Sequence, residues 1–134
     1  MNKPAIQNEH KSRGQKRRGI VTVEFAIIVP VIFVLFFAAL EMTWVNMMRN
    51  SVANAAYEAA RKAAIPGATA DQAEQVARRT LDPLKMSNGM SFSMTDFGDQ
   101  VEVTIDVPVA DNSWGMTRFS GGLRMTKTIR LSKE

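Results

Sequence analysis

Between Phe25 and Leu40 the sequence FAIIVPVIFVLFFAAL carries no charged side chain. A helix that is apolar on every side has to be enclosed by a large protein core or by lipid. In a chain of 134 residues too little remains outside the run to wrap it, which leaves the bilayer as its solvent. About 20 apolar residues cross a membrane at roughly 1.5 Å per residue. Extending the run back to Ile20 and on to Met48 adds only Glu24 and Glu41. The sequence thus assigns residues 20–48 to a transmembrane helix. Pro30 removes one backbone donor and is expected to bend that helix, which membrane helices tolerate.

The charge of the chain is distributed unevenly about this run. Residues 1–19 hold six Lys and Arg against Glu9, a net of +5, while the remaining 11 Lys and Arg face 12 Asp and Glu, a net of −1. The basic character therefore belongs to a short tail and not to a surface that could track phosphates, and no nucleic-acid partner is expected. Only Arg49 follows the run closely, so the positive-inside rule puts the N-terminus in the cytoplasm and the C-terminal part outside. An ordinary secretory signal would carry a small-x-small site just after the run, and FFAALEMTW offers none. Arg17 and Arg18 invite a twin-arginine reading, but the run behind them is too long and apolar for a segment meant to be removed.

Tail and helix meet at KRRGIVTVEF, residues 16–25. Gly19 has no side chain and adapts to extended conformations, so a protease can approach its backbone closely. Glu24 lies one turn into the apolar helix, near the exposed amides and the positive end of the dipole. A carboxylate at the edge of hydrocarbon is costly. Taken alone, Glu24 either marks the headgroup level or pairs with a cationic partner.

In sequence, Lys16, Arg17 and Arg18, then Gly19, four neutral residues, Glu24 and the aromatic Phe25 resemble a type IV prepilin processing site. The resemblance implies cleavage between Gly19 and Ile20 by a prepilin peptidase, and an assembly role for Glu24 with the N-terminal amine of a neighbour as partner. The segment VEFAIIVPV at 23–31, a membrane run lacking internal glycine, and NAAYEAAR at 54–61 are similar to the TadE-like group of tight-adherence pilus systems. The major pilins of those systems are much shorter and usually carry Glu-Tyr where this chain has Glu24 and Phe25. The resemblance therefore implies a TadE-like minor pilin or pseudopilin. Its expected place is the bacterial inner membrane, in a single pass with a periplasmic domain. Its expected partners are membrane lipid, the prepilin peptidase, other pilins and minor pilins, and the assembly platform. The alternative is an unprocessed, signal-anchored envelope protein whose outer domain binds another envelope component.

Beyond the span, Val45, Met48, Val52, Ala56, Ala59 and Ala63 recur at helical spacing and form a narrow stripe suited to close packing. Glu58 can pair with Arg61 and Lys62 on the other face. Pro66 and Gly67 end the helix. A second helix is predicted from Thr69 to about Leu81, with Thr69 and Gln72 as a capping box, an apolar face of Ala70, Ala73, Val76, Ala77 and Leu81, and Asp82 and Pro83 as its stop. Met90, Phe92 and Met94 alternate with polar residues as one strand, and Gly98 and Asp99 supply a turn. Val101, Val103, Ile105, Val107 and Val109 form a second strand, and a third lies near 123–131. Lys127 interrupts the inward row Leu123, Met125, Ile129, Leu131, which places it near an edge or extends its stem across the core. The expected fold is α+β: a long N-terminal helix, a short second helix and a three-stranded antiparallel sheet. The expected organisation is a basic leader at 1–19, the transmembrane helix at 20–48, an amphipathic extension at 49–65 and an exported domain at 66–134.

Catalytic chemistry finds no foothold in this composition. There is no cysteine, the single histidine is His10 in the basic tail, and the serines have no histidine to activate them. No glycine-rich phosphate loop or HExxH pattern occurs. Asp96, Asp99, Glu102, Asp106 and Asp111 could offer calcium oxygen ligands, but their spacing is not that of an EF-hand, and solvated hairpin carboxylates are the better reading. Trp114 and Phe119 are read as loop aromatics covering the end of the sheet. No catalytic residue, metal site or cofactor is expected.

Overall fold

The computed structural model describes residues 10–113 and 122–133, with side chains from Gly19 onward. The first element, α1, runs from His10 to Ala63 with Pro30 inside it. The chain divides into two units, Met1–Ala38 and Ala39–Glu134. In the first unit α1 presents its apolar side chains to the exterior on all sides, with Ile20, Val23, Phe25, Ile27, Val31 and Leu35 all well exposed. Phe33, Phe36 and Phe37 touch one another along the helix, with centroid separations of 6.2 and 5.8 Å. The helix is long and apolar enough to cross a membrane.

In the second unit the rest of α1 is followed by α2 (Ala70–Leu81), a 3₁₀ turn (Asp82–Leu84), β1 (Ser91–Asp96), β2 (Gln100–Pro108), the single turn α3 (Val109–Asn112) and β3 (Arg124–Ser132). The sheet is antiparallel in the order β1-β2-β3. This is the α+β architecture expected from the sequence. The stripe on α1 is realised: Met48, Val52, Ala56, Ala59 and Ala63 are buried, with Ala55 and Ala60 beside them. Alanine leaves the backbone accessible to close approach, so these positions share one core with Ala73, Ala77 and Leu81 of α2 and with the inward row of β2. That row, Val101, Val103, Ile105 and Val107, is fully buried. Thr69 caps α2 by accepting from the amide of Gln72. The helix passes at Asp82 and Pro83 into the 3₁₀ turn, and Gly98 turns β1 into β2 at φ +94°.

Two expectations need correction. The alternation of β2 stops at Pro108, and Val109 is the first residue of α3, not the last of the strand. Proline offers no amide to a ladder, and its φ of −69° opens the helical turn that follows. Among the described residues Glu58 forms no ion pair with Arg61 or Lys62; the helical pair present is Glu74 with Arg78 on α2. Lys127 lies on β3, an edge strand, opposite Ile105 in register, and is exposed. Trp114 and Phe119 lie outside the described residues.

The outward face of the sheet and the end where β1 turns into β2 are organised by charge. Arg124 pairs with Asp106, Arg130 with Glu102, and Lys133 with Asp96, so three of the five carboxylates considered as calcium ligands face cations from the β3 end of the chain. Arg130 also lies over the ring of Phe97, 5.1 Å from its centroid. Thr104 and Thr128 share a hydrogen bond of 2.8 Å across the same face. The hydrogen bond from Lys133, together with the Gly98 amide, holds the Asp96 carboxyl below its ordinary range. A carboxyl shifted downward contributes stability above its unfolded value, near pH 4, and loses it as pH falls through the folded value.

Ala59→Leu forces extra methylenes into this core and should destabilise the domain by about 1–3 kcal/mol, read from denaturant unfolding of the full chain in detergent; an unchanged midpoint would contradict the packing described. Lys133→Ala should move the Asp96 carboxyl titration, followed by NMR, upward toward the ordinary carboxylate value. A midpoint that does not move would remove Lys133 as the dominant cause.

Candidate processing and assembly site

The residues singled out at the junction, from Lys16 to Phe25, lie on about three turns of α1. Gly19, Ile20, Val23, Glu24 and Ile27 line an open groove along the helix surface. Residues at spacings of three and four share a helix face, so Glu24 stands beside Ile20 and Ile27, and Val23 stands beside the same two. Ile20 and Phe25 are both exposed, each at 66%. Lys16, Arg17 and Arg18 fall in the helical backbone of α1, directly before Gly19.

Gly19 itself is informative. A Cβ built on it meets nothing within 4 Å, and its φ lies outside the left-handed region. Neither packing nor backbone conformation asks for glycine here, and glycine inside a helix costs about 0.5–1 kcal/mol relative to alanine. Nothing among the described residues therefore requires a glycine at this position.

The second unit contains a polar cluster that the sequence did not disclose. Glu41 is only 7% exposed and accepts a 2.5 Å hydrogen bond from Ser113 Oγ. One turn later Trp44 Nε1 donates to the carbonyl of Asn112 at 3.0 Å. The Asn112 side chain, also 7% exposed, donates to the carbonyls of Asn88 and Pro108, both at 2.8 Å, and accepts from the amide of Asn88 at 3.1 Å. Gly89 permits this approach, since a Cβ there would lie 2.7 Å from Pro108 Cγ and its φ is +67°. Asn112 thus joins α3 to the loop before β1, and α1 reaches the same point through Trp44. The available sequence signal was Glu41 itself, a lone carboxylate at the end of an apolar run, where a buried charge requires a partner.

Asn112→Ala removes three hydrogen bonds at a buried position. Leaving their backbone partners unsatisfied should cost about 1–3 kcal/mol. For a domain of this size that lowers Tm by roughly 4–8 °C per kcal/mol. Calorimetry of the full chain in detergent checks it, and a Tm within a degree of wild type would show that the cluster is not a structural anchor.

Among the described residues no group of three or more His, Asp or Glu side chains is placed to hold a metal ion. No curated protein and no solved structure matches the chain. The family described as TadE-like protein matches residues 19–61, from the junction glycine through the alanine stripe. That match, laid over the exposed apolar helix and the small-residue packing face just described, identifies residues 19–61 as a TadE-like region and is consistent with a TadE-like protein of the tight-adherence pilus systems.

Proposed function

We propose that this protein is a minor pilin that takes part in assembling a tight-adherence pilus, is cut after Gly19 by a prepilin peptidase, and acts without catalysis of its own. The observation that carries the reading is Gly19. It opens the matched region, has no packing role, and is followed at five residues by a carboxylate on a helix otherwise dressed for lipid. Cleavage there would leave the α-amino group of Ile20 at the start of the helix. Glu24 of one subunit and the amine of a neighbour would then neutralise each other at the hydrocarbon edge, where an unpartnered charge is costly. The basic residues before Gly19 hold the leader on the cytoplasmic side, so the domain with the sheet lies in the periplasm. Other pilins, the assembly platform and the inner membrane are its partners on this reading.

A second reading rests on one specific feature. α1 begins at His10 and passes through Gly19 without interruption, whereas a protease acts on extended backbone. An uncut, signal-anchored envelope protein would keep this helix whole.

One set of variants separates the two. Mass analysis of membrane-extracted protein from the native host should give a chain beginning at Ile20, and Gly19→Leu should block cleavage while leaving insertion intact. Glu24→Ala should be inserted and cut but unable to support surface pili, with Glu24→Asp intermediate. An intact Met1 start in piliated cells favours the anchored reading, and normal piliation with Glu24→Ala reduces Glu24 to a marker of the membrane boundary.

A further inference from the structure

Within the second unit two grooves share the residues Arg49 and Met125. One is lined by Met42, Thr43, Val45, Asn46, Arg49 and Met125. The other runs between α1 and β3, past Arg49, Asn50 and Ala53 on the helix and Met125 and Lys127 on the strand, with a volume of about 470 Å³. That volume is within the roughly 300–1,000 Å³ of ordinary small-ligand sites. The two ends differ in chemistry. At the Leu40 end stand Met42, 71% exposed, and Val45; at the other end stand three cations, Arg49, Lys127 and Arg124, the last of them already paired with Asp106.

The basic residues of the groove and of β3 divide by partner. The other basic residues in and just after β3, namely Arg124, Arg130 and Lys133, are each paired with a carboxylate. Among the described residues Lys127 and Arg49 have no such partner. Register explains why. Arg130 stands opposite Glu102 and Arg124, opposite Pro108, reaches Asp106 diagonally, whereas Lys127 stands opposite Ile105, at the alternate register of the face that packs toward α1. An ammonium and a guanidinium from two elements therefore share one groove without an anion to neutralise them.

We propose that this groove binds the headgroup of an anionic glycerophospholipid from the leaflet next to the domain, with its phosphate between Arg49 and Lys127 and an acyl chain along Val45 and Met42. The proposal rests on the membrane-span reading of α1. Arg49 lies nine residues beyond Leu40, about 13 Å along the helix. The headgroup layer adds about 5–8 Å to each side of the hydrocarbon. Helical side chains lean toward the N-terminus, here back toward the apolar run, which carries the guanidinium to the outer edge of that layer. An acidic protein segment would satisfy the cations equally well, but it gives no account of the exposed Met42 beside the half-buried Val45 at the Leu40 end. A lipid satisfies both ends at once, and the lysine on the β3 edge disfavours an added strand there.

The test uses the full chain in nanodiscs of phosphatidylcholine containing a minor fraction of phosphatidylglycerol, with retained lipid counted by native mass spectrometry after detergent transfer. Each cation near an anionic surface is worth about fivefold in binding, so Arg49→Gln or Lys127→Gln should reduce phosphatidylglycerol retention by about fivefold, and the double variant by about 30-fold. Arg49→Lys with Lys127→Arg should retain the preference. Equal retention of the two lipids by wild type, or a preference unchanged in the double variant, overturns the proposal. Displacement by soluble glycerol phosphate would reassign the groove to a free anion, and displacement by a poly-glutamate peptide would reassign it to a protein partner; either overturns the lipid claim. Flotation with neutral phosphatidylcholine vesicles examines the span separately. A chain that fails to float removes the span reading and this proposal with it, while one that floats without lipid preference removes this proposal alone.

Discussion

Hydrocarbon and protein make different demands on the surface of one helix, and α1 meets them in succession. Where it displays Phe25, Val31 and Leu35 outward, its surface is of the kind that lipid solvates, and it is long and apolar enough to cross a membrane. From Met48 onward the apolar positions contract to a stripe of valine and alanine, and the surface becomes one that a sheet and a short helix can cover. Small side chains matter at this second surface because they trade contact area for close approach. The burial of Val101, Val103, Ile105 and Val107 depends on that approach.

The sheet is made one-sided by the same period. On β2 the inward residues are aliphatic, and the outward ones are Glu102, Thr104 and Asp106, each met across the ladder by Arg130, Thr128 and Arg124 or Thr126. These exposed pairs add little stability individually, about 0–1 kcal/mol each. They do fix register, since a slip of one residue would bring the wrong faces together. They also occupy two of the five carboxylates that composition alone had left available for an ion. What remains uncompensated is the cation that register sends to the other face.

Much of this was legible because local period and burial agree. The alternation from Val101 to Val107 admits only a half-buried strand, the stripe from Met48 to Ala63 only a helix face, and Thr69, Pro66, Gly67 and Gly98 carry punctuation whose physics is local. The failures have local causes too. The alternation runs on through Val109, and only the missing amide of Pro108 and the demand of Asn112 for three partners turn the chain into α3. The helical turn between Glu58 and Arg61 allowed an ion pair that exposure in water does not reward.

Residues 16–25 and the apolar run were determined by sequence alone, since hydrocarbon, charge asymmetry and a glycine beside a carboxylate act through composition and spacing, not through distant contacts. The contact of Glu41 with Ser113, of Trp44 with Asn112, and the meeting of Arg49 with Lys127 were decided by the tertiary structure. Each joins residues 68 to 78 positions apart. No period in the sequence encodes such a pairing; it exists only once β2 is covered by α1, because the packing of that face fixes which ends and edges of the sheet come to lie against the helix.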